Sequence, residues 1–289
     1  MWLLSLGSGV RSKTKGGIIA RAVNLAKWAI ESLSWHFRAS TYRRRLAAAK
    51  PMGLSIGITT YKDRFDNCLR PLISKLSILF PNEQIIVIAN GHYLADEQRD
   101  YIGRFNTFCG MFNNVEHESY TDARGLSFLW NRIIERASSD NILILNDDIM
   151  VQAEFRRFVE ESGIIRTPMT TINSSWSHFK ISRDIIEKVG LFDEGFREIG
   201  GEDDDYLARM ALAGLRAHDI ATGTLAPKSK KRMKAPRLNS YGRDMSVETG
   251  GYSTLNTEYL LTKWETSDDY TEGAVEVMGR KRRYWKLKG

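Results

Sequence analysis

Four consecutive acids, Glu202-Asp203-Asp204-Asp205, follow Gly200-Gly201 and run straight into the helical pattern Tyr206, Leu207, Met210, Ala211. So dense a cluster concentrates groups that can take a proton or hold a cation. About fifty residues upstream, Ile142-Leu143-Ile144-Leu145 is a continuous apolar run that reads as a buried strand, and it leads directly into Asn146-Asp147-Asp148. Those acids stand at a strand's carboxyl end, where open α/β sheets bind their ligands. Two acidic groups on one α/β scaffold point to metal-assisted group transfer. Taken singly, the first group also reads as acidic capping of a helix amino terminus and the second as a strand-ending Asx turn.

The elements that must position these groups alternate strand and helix. Leu54 to Thr59 has a buried-strand pattern, and Leu69, Leu72, Ile73, Leu76 and Leu79 mark a helix that Pro81 ends despite Pro71. Ile85 to Ala89 is a second strand, Leu94 to Phe105 a helix and Asn114 to Glu118 a short strand. Leu126, Leu129, Trp130, Ile133, Ile134 and Ala137 line one helical face before the Ile142 strand. This is a Rossmann-like half. Beyond it, a helix around Phe155, Phe158 and Val159 ends at Gly163, strands follow at 168–174 and 177–181, and Ser182 to Gly190 bounds a short helix. A last strand is expected from Leu215 to Ala221, followed by a basic loop from Lys228 to Arg237.

The strand ending in Asn-Asp-Asp, then Gly190-Leu191-Phe192-Asp193-Glu194-Gly195-Phe196, then Gly-Gly-Glu-Asp-Asp-Asp, resembles the GT-A glycosyltransferases over residues 53 to 221, nearest to family 2 and to the galactosyltransferase-type carboxyl motif. The resemblance implies an α/β fold with a nucleotide-binding half joined to an acceptor-binding half around one central mixed sheet. It also implies transfer of a sugar from a nucleotide diphosphate donor to an acceptor hydroxyl. On the matching positions Asp203 is the catalytic base, Glu202, Asp204 and Gly201 meet the acceptor, and Asp148 binds the metal, Mn2+ or Mg2+. Asn146 and Asp147 lie near the ribose and sugar of the donor. Inversion by direct displacement suits a single base, and retention stays open as the alternative.

Further donor contacts follow from the same resemblance. Thr60, Tyr61 and Arg64 stand at the exit of the first strand, where the family's loop cradles the nucleotide base. Asn90-Gly91 replaces a frequent Asp-Gly or Asp-Asp, exchanging a carboxylate acceptor for an amide. Arg124 and Asn131 match the helix that approaches the diphosphate, and an arginine suits bidentate phosphate contact. Among the five histidines none after His218 qualifies as a late metal ligand, so the cation would rest on Asp148, diphosphate and water.

Charge divides the 289 residues unevenly. Residues 1–50 carry ten Lys or Arg against one acid, 227–243 seven against none and 280–288 six against none, which leaves the remainder at net −15 within a total of +7. A catalytic domain over 51–225, a basic amphipathic extension over 1–50 and a basic loop and carboxyl extension over 226–289 follow. Ile18, Ile19, Ala22, Val23, Ala26, Ile30, Leu33 and Phe37 share one helical face, with Trp28 and Trp35 at its border and Arg43-Arg44-Arg45 after it. Such a helix suits an anionic membrane surface beside a lipid-linked glycan acceptor, or docking on the protein's own core or on a partner. No window reaches the length of a membrane span, and Cys68 and Cys109 lack metal or disulfide spacing, so a peripheral protein on the cytoplasmic face of a membrane is expected. Nucleic acid is not expected as a partner, because no recognition signature accompanies the basic segments. An inactive GT-A scaffold or glycan-binding protein, and a polyanion-binding protein, are the rival classes.

Overall fold

The computed structural model describes residue 35 and residues 38–228, 254–278 and 282–288. In chain order the first half comprises α1 (38–46), β1 (Leu54–Thr60), α2 (Arg70–Leu79), β2 (Gln84–Ala89), α3 (Ala95–Cys109), β3 (Val115–Ser119), α4 (Leu126–Arg136) and β4 (Asn141–Asn146). Then come β5 (Ile149–Val151), α5 (Phe155–Glu161), β6 (Met169–Ile172), β7 (Ser175–Ser182), α6 (Arg183–Val189), α7 (Glu202–Leu212), β8 (His218–Ile220) and β9 (Leu225–Pro227). The chain closes with α8 (Thr254–Lys263), β10 (Trp264–Ser267), β11 (Val275–Met278) and β12 (Arg282–Leu287).

One central mixed sheet of seven strands runs in the order β3-β2-β1-β4-β7-β6-β8, as expected for this α/β architecture. β3, β2, β1 and β4 are parallel, and β7 turns antiparallel against β4. Alternation along the strands builds two cores. Leu54, Ile56, Ile58, Leu143 and Leu145 face α2, α3 and α5, whereas Ile142, Ile144, Phe179 and Ile181 face α4, α6 and α7. Burial on both faces is why these strands read as unbroken apolar runs. Gly57 lets α4 lie against β1, since a Cβ there would come within 2.1 Å of Ile133 Cγ2.

Several elements differ from their sequence reading. Pro71 causes no break because it sits in the first turn of α2, where its missing N–H is tolerated. The short strand β5 follows Asp148 at once and pairs with β9, a strand absent from the sequence reading, and the expected last strand shrinks to β8. The apolar face from Ile18 to Leu33 lies outside the described residues, but Trp35, Tyr42 and Leu46 pack against the core beneath α2 and α5. Lys75 Nζ lies 4.5 Å from the Trp35 ring.

The carboxyl segment, read only as a basic extension, builds α8 and a three-stranded antiparallel sheet in the order β10-β12-β11. Trp264, Val277, Trp285 and Leu260 pack against Ala208 of α7 and Phe196 of the preceding loop. The joint is charged at its centre. Asp205, fully buried on α7, accepts from Arg209 Nε at 2.8 Å, from Lys263 Nζ at 2.7 Å and from Trp264 Nε1 at 2.8 Å.

Removing this carboxylate takes the ion pair from Arg209 and the acceptor from the Trp264 N–H, while Lys263 keeps Asp193. Asp205→Ala is therefore expected to cost about 3–5 kcal/mol, the usual penalty for breaking a buried ion pair from one side. Urea denaturation followed by tryptophan fluorescence measures it, and a loss below about 1 kcal/mol would mean that Asp205 does not hold α8 to α7.

Candidate functional site

Three strand exits and two helix starts meet at one edge of the sheet. At the β1 exit, Thr60 Oγ1 donates to Asp147 Oδ2 at 2.7 Å, and Arg64 Nη1 donates to Asp147 Oδ1 at 2.9 Å. The same Nη1 lies 3.1 Å from Asp148 Oδ2. One guanidinium thus serves both acids of the strand-end motif. Arg64 is itself steadied by Tyr61, whose hydroxyl accepts from Nε at 3.0 Å and whose ring lies 5.1 Å from the guanidinium carbon.

Asp147 is 1% exposed, and its carboxyl is pushed up to about 6. Burial is the largest cause; Arg64 pulls the other way and Asp148 adds to the rise. The two acids hold Arg64 above its usual value despite its own desolvation. Asp148 keeps partial exposure, and its backbone carbonyl accepts from Lys228 N at 2.6 Å, so the β5–β9 ribbon fixes where this acid sits. Asn146, half-buried, ends β4 opposite Thr59 of β1.

The second acidic group reaches the same edge from the opposite face of the sheet. His178 on β7 pairs with Leu145, so Trp176 lies level with Asp147 just beyond the paired stretch. Trp176 packs on Tyr206, one turn into α7, with ring centroids 6.5 Å apart. Glu202 and Asp203 open α7, one turn before Tyr206. Both glycines before them are required: Gly200 and Gly201 have φ of 98° and 93°, a region costly for any residue with a Cβ.

The four acids do not share one environment. Asp203 and Asp204 are partly exposed, and Asp203 Oδ1 accepts from Asp204 N at 3.0 Å. Asp205 faces the carboxyl segment. Glu202 is 3% exposed, and its proton affinity is raised to about 8, first by burial and then by the charge on Asp203.

Two amides expected at the donor make hydrogen bonds within the protein. Asn90 donates from Nδ2 to Arg124 O at 3.0 Å and accepts at Oδ1 from Arg124 N and Gly91 N, which pins the β2 exit to the loop before α4. Asn131 brackets Phe192, accepting its N–H and donating to its carbonyl, both at 2.9 Å, and also donates to Glu194 Oε1. Arg124 is exposed, and its guanidinium lies over the Tyr120 and Phe128 rings.

The loop carrying the glycine pair is held from two sides. Leu126 N donates to Glu198 O at 3.1 Å, and the approach at Gly125 is so close that a Cβ there would meet Phe196 O at 2.3 Å. From the other side Asn256 of α8 donates to Gly200 O at 2.9 Å and accepts from Glu198 N at 3.1 Å.

A metal would find limited protein ligation here. Among the described residues no group of three or more His, Cys, Asp or Glu is arranged to hold one. The partly exposed Asp148 carboxylate fits a cation whose remaining ligands come from a bound diphosphate and water.

Neither a protein-family model nor a curated protein matches the sequence. Among solved structures, the chain is similar to the mannosyltransferase PcManGT from Pyrobaculum calidifontis, solved with GDP-Man and Mn2+, at 13% identity and a TM-score of 0.44 over 70% of this chain and 66% of that one. It is also similar to S. aureus TarS, at 12% identity and a TM-score of 0.45 over 62% of this chain and 37% of that one. For residues 1–349 of TarS the identity is 10% and the TM-score 0.44, over 62% of this chain and 61% of that one. The chain thus spans less than two thirds of the chain in each of these three structures.

Sequence reasoning missed residues that frame the site. His92, buried at the β2 exit, takes the Leu94 N–H at Nδ1 (3.2 Å), which leaves Nε2 to donate to Asp63 Oδ2, also at 3.2 Å. His178 is 2% exposed, and burial lowers its pKa against the pull of Asp148. The signal available was position: His92 follows a strand by two residues, and His178 interrupts an apolar strand.

The perturbed carboxyl of Asp147 makes stability depend on pH. The unfolded chain releases that proton near 3.8 and the folded chain near 6, so the contribution is fully present below the lower value and is lost as pH rises through that window. The loss is at most about 3 kcal/mol. Comparing urea denaturation of the wild type with Asp147→Asn at about pH 4 and pH 7, the variant should gain on the wild type at the higher pH. An equal gap at both would contradict the burial of an ionisable Asp147.

Proposed function

We propose that this chain is a glycosyltransferase of the GT-A type that moves a sugar from a nucleotide diphosphate donor to a hydroxyl of a glycan or lipid-linked glycan, with inversion. What supports the reading is that one α/β sheet carries two differently built acidic groups, one at the carboxyl end of β4 and one at the start of α7. Asp147 and Asp148 share a guanidinium, and Asp203 stands partly exposed at the start of α7.

In this reading Thr60, Tyr61, Arg64, Asn146 and Asp147 receive the nucleotide and its sugar. Asn90 and Asn131 act by fixing the loops around it. Arg64 fits a diphosphate because its planar fork can exchange a carboxylate oxygen for a phosphate oxygen. A divalent cation, manganese or magnesium, held by Asp148 and the donor's own oxygens would neutralise charge on the departing diphosphate. Asp203 takes the proton of the acceptor hydroxyl as its oxygen bonds to the anomeric carbon and the bond from that carbon to the diphosphate breaks. Glu202, Asp204 and the Gly201 turn shape the acceptor's seat.

Two substitutions test the two groups separately. Asp203→Asn should lower transfer by roughly 10²–10⁴-fold while donor affinity stays within a few-fold, because a general base acts in the transition state. Near-normal turnover would remove Asp203 from that role. Asp148→Ala should weaken metal-dependent binding of the nucleotide sugar in titration calorimetry, and unchanged affinity would move the cation elsewhere.

A further inference from the structure

Helix α1 is fastened to the core along one side only. Trp35, Tyr42 and Leu46 pack against that core, the two rings with centroids 5.5 Å apart, and Lys75 Nζ of α2 lies 4.5 Å from the Trp35 ring. The turn after α1 is pinned as well. Asn82 Nδ2 donates to Ala49 O at 2.5 Å, Arg156 Nη2 to Lys50 O at 3.3 Å, and Met52 N to Glu83 Oε1 at 3.1 Å. At about 100° per residue, Arg44 falls opposite the docked side, with Arg43 and Arg45 flanking it. Arg38, Arg43, Arg44 and Arg45 are all exposed. The chain holds no acid from Ser32 to Lys62, α2 holds none, and on α5 Glu160 and Glu161 pair with Arg156 and Arg157.

Ile30, Leu33 and Phe37 lie outside the described residues, but in the helical pattern of the sequence they share the Arg44 side, about half a turn from Trp35, Tyr42 and Leu46. The core is thus met by a different set of side chains from the apolar face read in the sequence. We propose that the outward side of this amino-terminal segment is a docking surface for an anionic phospholipid bilayer, with Arg43, Arg44 and Arg45 against head-group phosphates and Ile30, Leu33 and Phe37 in the acyl boundary. Exposed guanidinium groups in line with apolar side chains match a bilayer interface, which offers phosphate above and hydrocarbon below. A nucleic-acid backbone offers no hydrocarbon. Docking through α1 also sets an orientation. Trp35 lies beside Lys75 and Ala49 beside Asn82, so α1 runs along α2 in the same direction, and its amino end is the one nearer the β1 exit. The surface is independent of the reaction the chain catalyses.

Sedimentation of the full chain with vesicles is the test. Phosphatidylcholine vesicles containing about a third phosphatidylglycerol should carry the protein down at low salt, phosphatidylcholine alone should not, and about 0.5 M salt should release it. Replacing Arg43, Arg44 and Arg45 together by Gln should weaken partition on the order of a hundredfold, at about fivefold for each cation. Phe37→Asp should weaken it too, while the thermal unfolding midpoints of both variants stay within a few degrees of the wild type. Equal binding to neutral and anionic vesicles overturns the proposal, as does a triple variant that binds like the wild type. Binding to neither kind of vesicle overturns it in favour of a protein partner. A Phe37→Asp protein that unfolds many degrees lower yet binds vesicles undiminished also overturns it, since the apolar side then packs on the protein itself.

Discussion

A carboxyl group can leave water at the edge of a sheet only if a cation or a proton goes with it, and this requirement organises the molecule. Asp147 is buried against the hydroxyl of Thr60 and the guanidinium of Arg64. Asp205 is buried against Arg209 and Lys263. Lys263 also reaches Asp193 at 2.8 Å, and Tyr259 donates to the same carboxylate, so one lysine binds α7 and the loop before it to α8. Shared cations tie segments distant in sequence into one unit. Removing a partner from such a unit leaves a charge behind, which is why single substitutions there should cost more than the pair contributes.

The same economy of groups holds the loop before α7 in shape. Asn131 and Asn256 each use both ends of one amide to bracket the stretch between Phe192 and Gly200, one from α4 and the other from α8. The two glycines can then adopt left-handed angles without the loop collapsing, and Glu202 and Asp203 are presented by backbone that is already fastened. Sites on braced backbone keep reacting groups within the small tolerance that chemistry demands. The carboxyl segment is thus a structural partner of the acidic motif rather than an appendage beside it.

How much of this could be read from the chain depended on how local the physics was. The parallel strands were legible because Leu54 to Thr60 and Asn141 to Asn146 are buried on both faces and so show continuous apolar runs. The acidic motifs were legible because Gly-Gly and a run of carboxyls have few other uses. β5 and β9 were not, since three residues carry too little periodicity to declare a strand. Asn90 and Asn131 drew attention as polar residues in the expected places, but an amide facing a ligand and an amide bracketing backbone look identical in sequence. The roles of Asn256 and Lys263 depend on partners some sixty residues away, and no local pattern announces them.

Charge also decides what this edge of the sheet can accept. Asp147 and Asp148 set two carboxyl groups against the single guanidinium of Arg64, so at neutral pH the cluster is negative before anything binds. The nucleotide diphosphate proposed as donor would add more negative charge to a site screened little by solvent at Asp147. Arg64 alone cannot balance both, because its one positive charge is already shared between two carboxylates. The divalent cation of the proposed mechanism would restore the balance of charge at this edge, with Asp148, which still reaches solvent, as its ligand.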